Sequence, residues 1–445
     1  MTRCERAAFV SVLVLSAALI AAPWHGHVDD VDAQLYVVIV RNMVADRTWF
    51  DLRYLPDLFP RFREHLPFGF WPAAAAARWL GEWAIGPLYG LFTLGTIALA
   101  GLAAARRFGA AAGIATALCL GTCDSIWQYG GRLLLDPPLL FFATFAAAAA
   151  LDERPRWIVA AASAAAAVLV KGPFGLVPLA SVVLARAVAE RSGVTLVRGG
   201  LACAGALLPT AAFLVADAWL SHGTWWSGYI RDQIAASALG TRHDGVSAWW
   251  YPLRVVGGRF WPGLPLLGLA ALAARRDRRA ATICLASTIA VALLCVPARK
   301  WGRHAYVVFP LLAIAAGAGA ASLAASWIRR PANSRGLALT LAFASVAAWC
   351  ASVLGAGRLV LRPPCVVSTE FAPLLAPYAP ATRVWVPRPV DWGLITELAE
   401  ERRLVPTVER TTTPELVILR EGLPRPSSFR DVGRARGLLL LERVP

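Results

Sequence analysis

Repeated runs of roughly twenty apolar residues, separated by short arginine clusters, constrain this chain more than any other feature. A run of that length crosses a bilayer as a helix, because lipid offers no partner to an unpaired backbone group. Composition agrees: 58% of the 445 residues are hydrophobic and only 16% are charged. Ordinary soluble domains are less apolar and more charged. The sequence therefore predicts an all-α polytopic membrane protein.

About eleven spans are predicted. The first, MTRCERAAFVSVLVLSAALIAA, has the basic start and small-residue end of a signal peptide. Retention as a span is favoured, since a cytoplasmic N-terminus suits the loop that follows. The others cover about residues 86–105, 110–126, 138–151, 157–170, 174–189, 201–220, 251–273, 280–296, 307–327 and 337–359. This alternation puts Arg106, Arg107, Arg154, Arg156, Arg191, Arg198, the ARRDRR stretch and Arg329-Arg330 in the cytoplasm. The positive-inside rule agrees at each turn. It also accounts for the net charge of +16, and no zinc-finger spacing argues for nucleic acid instead.

The same alternation places two long loops, 23–82 and 221–250, on the outer side. The first holds Asp29, Asp30 and Asp32. Such a cluster beside a span is costly unless it faces water, a partner or a substrate. Leu35, Val38, Ile39 and Met43 then recur at helical spacing, predicting a surface helix. One of the three acids suffices to cap that helix. Asp32 is the candidate general base or orienting group for a substrate hydroxyl. Asp136, ahead of Pro137, reads as a helix N-cap and as a second orienting carboxylate.

Lysine is informative by its scarcity. Lys171 and Lys300 are the two lysines among 44 basic residues, and both fall at an outer boundary. Each either snorkels to the interface or binds the phosphate of a membrane-embedded lipid. Arg299, Arg303 and His304 reinforce the second position. Glu64, His65 and His243 are candidate metal ligands at a spacing that is not diagnostic. His222 and His304 read as interface hydrogen bonders. Trp225, Trp226, Trp249, Trp250 and Trp261 read as an aromatic belt, with stacking on a sugar as the other option. Eight scattered cysteines without a CxxC form neither a disulfide framework nor a metal site.

Beyond residue 361 the chain turns soluble. VWVP, ELVIL and LLLLERV read as short strands and WGLITELAEERR as a helix. The expected organisation is a transmembrane domain, 1–361, and a small extracytoplasmic α/β domain, 362–445.

From Val28 to Ala320 the order of these motifs resembles the GT-C-class glycosyltransferases that use lipid-linked sugars. It is most similar to the aminoarabinose (lipid A) transferase and protein O-mannosyltransferase-related group. D-A-Q-L-Y matches the family's acidic loop start and puts its key carboxylate at Asp32. R-E-H-L-P matches the family's E-K-P-P-like stretch, so Glu64 carries over while His65 stands where the family has Lys. Leu135-Asp136-Pro137 and Val170-Lys171-Gly172-Pro173 match its L-D-P and T-K-G-P segments. His243 precedes Trp249-Trp250-Tyr251 as a family His precedes an aromatic run. Lys300 to Tyr306 resembles a late K-x-x-x-Y turn.

The resemblance implies an inverting glycosyltransferase of the bacterial inner membrane with its site facing the periplasm. The donor would be a polyprenyl-phosphate sugar, and the acceptor a lipid A-like glycolipid, a protein or an envelope glycan. Lys171, Lys300, Arg303 and Tyr306 would hold the donor phosphate, and Asp32 and Asp136 would serve the acceptor. A divalent ion on Glu64 and His243 is part of that expectation, and a nucleotide cofactor is not. Two other readings stay open: a transporter of lipid-linked sugar without chemistry, and an envelope polysaccharide polymerase or ligase. Against the transporter, the charges gather on one outer face and no internal repeat is visible.

Overall fold

The computed structural model describes residues 1–21, 30–55, 59–220, 222–242 and 244–329, and parts of 374–444. In chain order its first helices are α1 (Arg3–Ala21), α2 (Val31–Asp46), α3 (Trp71–Leu80), α4 (Ile85–Phe108) and α5 (Ala110–Gly121). Then come α6 (Asp124–Gly130), α7 (Asp136–Leu151), α8 (Trp157–Lys171), α9 (Val177–Glu190) and α10 (Gly193–Leu220). The last are α11 (Ala236–Leu239), α12 (Tyr251–Arg259), α13 (Leu264–Ala274), α14 (Arg278–Cys295) and α15 (Phe309–Arg329). A π-helical stretch, Trp226–Ala235, leads into α11, and a 3-10 turn, Gly302–Val308, into α15.

The chain forms two compact units. The first comprises residues 1–22, 63–69 and 86–359, the second 23–62, 70–85 and 360–445.

Among the described residues, six helical segments are long and apolar enough to cross a membrane, or eight if each of two bent pairs is one span. Two of the predicted spans are bent. The 110–126 run is broken, with α5 and α6 meeting at 64°, and the 251–273 run is broken between α12 and α13 at 74°. Pro262 explains the second break, since proline cannot continue the preceding helix, and a side chain at Gly263 would strike the ring of Phe260. The predicted last span, 337–359, lies outside the described residues.

Within the first unit, arginines gather the helix ends at one side. Arg107 donates to the carbonyl of Leu151, and Arg186 to those of Ala150 and Asp152 at 2.7 and 2.6 Å. Arg278 reaches the carbonyl of Ala189, and Arg279 pairs with Glu153 at 2.6 Å. Cations at these carbonyl-rich ends complement the helix dipoles. The arrangement also makes α8 and α9 an antiparallel hairpin, because the start of α8 and the end of α9 meet at the same end of α7. Its turn, Lys171 to Leu176, therefore lies at the opposite end. Small residues let the helices approach: Thr116 donates to Ala313 O at 3.1 Å, and a side chain at Gly317 would strike the Thr116 hydroxyl.

In the second unit α2 presents the predicted Leu35, Val38, Ile39 and Met43, all buried. Tyr36 and Val40 are buried as well, so the covered face is wider than the spacing alone suggested. Tyr36 meets Phe62 and Phe70 edge-on at 6.3 and 5.1 Å, each such pair contributing about 0.5–1.5 kcal/mol beyond area burial. Asp30 caps α2, accepting from the N–H groups of Asp32 and Ala33 at 3.1 and 3.2 Å.

Five strands form one sheet in this unit: β1 (Arg383–Trp385), β2 (Val405–Thr407), β3 (Leu416–Arg420), β4 (Phe429–Ala435) and β5 (Leu438–Arg443). Their order is β2-β1-β3-β5-β4, with β1 parallel to β2 and β3 and the remaining pairs antiparallel. Val417, Leu419, Leu439 and Leu441 form its core. The predicted helix falls mostly outside the described residues.

Candidate active site

Lys171 closes α8 and Asp136 opens α7, at the end of the first unit opposite the arginine cluster. Their side chains meet at 2.6 Å and are 10% and 5% exposed. Leu135 holds the N-cap position of α7 and Asp136 is its first helical residue, which corrects the N-cap reading; the Asp136 carboxylate turns to a lysine 35 residues away. A charge-assisted pair this buried fixes the ammonium in place, where an isolated lysine would seek water.

The hairpin turn is built for that placement. Gly172 has φ +66°, a left-handed conformation that favours glycine. A Cβ there would run into the hydroxyl of Tyr229, which is itself buried. Gly172→Ala is expected to lower stability by more than about 1 kcal/mol through strain and overlap together. Thermal denaturation in detergent measures it.

Around this pair the unit collects cations and rings. Lys171, Arg242 and Arg303 all act on His65, and act with it on His304. His304 packs 3.9 Å from the ring of Phe174 and 5.3 Å from Trp301, ring centre to ring centre. The Arg242 guanidinium lies 4.7 Å over Trp301, bonds Asp244 twice at 2.7 and 2.8 Å and reaches Gln233. Arg303 and Arg132 each stand 5.9 Å from the ring centre of Tyr129, which stacks on Tyr306 at 6.0 Å. Arg63 lies 4.3 Å over the ring of Trp225, whose backbone N–H donates to the Asp217 carboxylate at 2.9 Å.

His65 is electrically distinctive. Loss of hydration, and then the charges of Lys171, Arg242 and Arg303, lower its pKa from 6.5 to about 3, although an edge stays accessible. It is therefore a neutral imidazole at physiological pH and supplies a hydrogen bond where a lysine would supply charge. A folded pKa below the unfolded one stabilises the fold fully above about pH 6.5, and that contribution is lost as pH falls toward 3. Wild-type melting temperature should accordingly fall more between pH 6.5 and 4 than that of His65→Gln.

The other sequence candidates are distributed as follows. Tyr306 is buried beside Tyr129. Lys300 is 4% exposed and its ammonium lies 3.4 Å from Ser247 O, while its backbone pairs with Val246 at 2.8 and 3.0 Å. That lysine ties the second loop to the start of the last described span. Asp30 and Asp32 belong to the second unit, Asp30 as the cap and Asp32 in the first turn of α2. Glu64 lies in the 63–69 segment of the first unit. Asp29 and His243 lie outside the described residues. Among the described residues no three His, Cys, Asp or Glu side chains converge to hold a metal, and Glu64 adjoins a histidine surrounded by cations. Trp225 departs from the belt reading, being 3% exposed under Arg63, whereas Trp226, Trp249, Trp250 and Trp261 are exposed.

Sequence reasoning missed Arg242, Arg63, Phe174 and Tyr129. Arg242 stood beside the named His243, but nothing distinguished it from the other arginines.

No protein-family model and no curated protein sequence matches the chain. Solved structures do. ArnT from Cupriavidus metallidurans bound to undecaprenyl phosphate is similar with a TM-score of 0.74 at 18% identity, over 100% of this chain and 99% of that one. The same protein in the apo state gives 0.71 at 18%, over 98% and 97%. The archaeal oligosaccharyltransferase AglB from Archaeoglobus fulgidus, solved with an inhibitory peptide and a dolichol-phosphate, gives 0.56 at 14%, over 92% and 65%. The chain thus has the fold of these solved structures, and over its whole length that of the ArnT structure.

Proposed function

We propose that this protein is an integral membrane glycosyltransferase that takes a sugar from a polyprenyl-phosphate donor and passes it to an acceptor at the outer face of a bacterial inner membrane. The observation that carries the reading is the gathering of Lys171, Arg242, Arg303, His65 and His304 at one end of the membrane unit, opposite its arginine-rich end. Breaking a sugar–phosphate bond leaves a lipid phosphate, so the transition state gains negative charge at the leaving oxygen. Fixed, poorly hydrated cations stabilise that charge without reorganising. Lys171 is held by Asp136 and Arg242 by Asp244 and Gln233, so both are positioned before the donor arrives. Neutral His65 adds an N–H donor. That the ArnT structure holds undecaprenyl phosphate and the AglB structure a dolichol-phosphate supports the donor class.

For a hydroxyl acceptor a base is required, and Asp32 takes that role; a phosphate acceptor is already ionised and needs none. Transfer is inverting in this reading, by direct displacement on the face away from the lipid phosphate. A divalent ion on Glu64 and His243 would lend further positive charge to the leaving phosphate, and no step above depends on it. The polymerase or ligase reading shares this chemistry and differs only in acceptor.

The broken helix pairs α5–α6 and α12–α13 are what a transporter would use. Here Asp124 and Arg259 join the two breaks at 2.6 Å, and Cys123 donates to Arg259 O at 3.1 Å, which locks them together. The test is reconstitution in liposomes with a panel of radiolabelled polyprenyl-phosphate sugars and a membrane extract as acceptor. Label transfer with release of polyprenyl phosphate supports the enzyme. Donor that crosses the bilayer intact supports the transporter.

A further inference from the structure

We propose that the second unit carries a saccharide-binding cavity, chemically unlike the cationic cluster of the first unit. It lies along the C-terminal half of α2, the loop that follows and the end of α3, and encloses about 1240 Å³. That exceeds the roughly 300–1,000 Å³ typical of small-ligand pockets and suits two to four sugar rings.

Among the described residues its charged lining consists of Arg41, Asp46, Arg53, Arg61 and Glu82. Asp51 holds Arg53 at 2.6 Å. Among the described residues the three guanidiniums of the lining thus stand against Asp46, Glu82 and, behind Arg53, Asp51. A phosphate finds little unbalanced positive charge among them, in contrast to the first unit. A purely apolar ligand would strip water from these groups and return no hydrogen bonds. A hydroxyl-rich ligand matches them, because each hydroxyl donates to a carboxylate and accepts from a guanidinium.

The polar groups are also held in place. Arg41 grips Glu82 through two bonds of 2.8 Å. The Asn42 amide donates to the carbonyls of Arg53 and Tyr54 at 3.1 and 2.7 Å, which sets the loop that carries Arg53. Such preorganisation lowers the entropic cost of binding.

The apolar wall includes Leu55 and Phe59. Phe59 has φ +53°, a sterically costly conformation for a bulky side chain. It is held by its carbonyl, which accepts from Tyr54 N at 3.1 Å, and by its ring edge-on to Phe62 at 6.0 Å. Strain of this kind gathers at ligand clamps. An aromatic ring flanked by planar hydrogen-bonding groups is suited to the apolar face and hydroxyl rim of a sugar. As a seat for an acceptor glycan the cavity rests on the transferase reading above; as a sugar site it does not.

The test uses the full-length protein in nanodiscs and isothermal titration. Ligands are neutral di- to tetrasaccharides of glucose, galactose, mannose and N-acetylglucosamine, their phosphorylated counterparts, and inorganic phosphate. At least one neutral saccharide should bind, at least tenfold more weakly to Phe59→Ala and to Asp46→Asn. Asp46→Asn is the variant that keeps the test valid if the first fails to fold. Polyprenyl phosphate should neither compete nor lose affinity in these variants. The proposal is overturned if no neutral saccharide binds, if only phosphorylated ones do, if both variants bind normally, or if polyprenyl phosphate displaces the sugar. Saccharide binding with no donor cleavage would sink the transferase reading and leave this site standing.

Discussion

Removing the Lys171 ammonium is expected to reduce sugar transfer by about two to three orders of magnitude, the usual effect of deleting one fixed donor from a charge-stabilising site. The effect should fall on kcat, because charge develops on the donor phosphate mainly in the transition state. Lys171→Ala alone is a poor test, since it strands Asp136 in a site where that carboxylate is 5% exposed. The informative variant is Lys171→Met with Asp136→Asn, which removes both charges at nearly constant volume. Its transfer rate in liposomes should drop as far as that of the single variant while its melting temperature stays close to wild type. A double variant that transfers at the wild-type rate removes Lys171 from the mechanism.

Asp136→Ala is expected to be the most destabilising single change at the cationic cluster. It leaves the Lys171 ammonium, 10% exposed, without its carboxylate. Breaking a buried pair from one side costs about 3–5 kcal/mol, whereas replacing both members by uncharged groups is often neutral. Three denaturation curves decide it: Asp136→Ala should unfold far earlier than wild type, and the double variant should recover most of the loss. A double variant as unstable as Asp136→Ala would mean that the site needs the ion pair itself for folding.

The sequence conveyed the membrane frame because a bilayer admits little else. Twenty apolar residues between arginines leave one solution, and α4, α10 and α14 fall close to their predicted spans. The breaks at Thr122–Cys123 and at Trp261 were hidden, since hydropathy measures apolar length and is blind to a bend. At the site, Lys171 stood out through the scarcity of lysine. Its partner was misread for a physical reason: an Asp before Pro carries a strong local capping signal, while the true contact is 35 residues distant and has no local trace. Lys300 had the same scarcity signal as Lys171, and its contact with Ser247 O and its backbone bridge to Val246 likewise had no local trace. Arg242 was invisible because in this chain arginine is the default cation. The sheet strands β1, β3 and β5 were legible from their apolar runs, whereas three-residue β2 and Gly- and Arg-bearing β4 have no such run.

The cationic cluster of the first unit is expected to bind a lipid phosphate. Photo-crosslinking tests it most directly, with a polyprenyl phosphate bearing a photoreactive group on the first isoprene unit and peptide mapping of the adducts. Adducts confined to the stretches 63–69, 171–176 and 299–306, and suppressed by unlabelled polyprenyl phosphate, are the predicted result. Saturable adducts that map elsewhere and leave these three stretches unlabelled would contradict it.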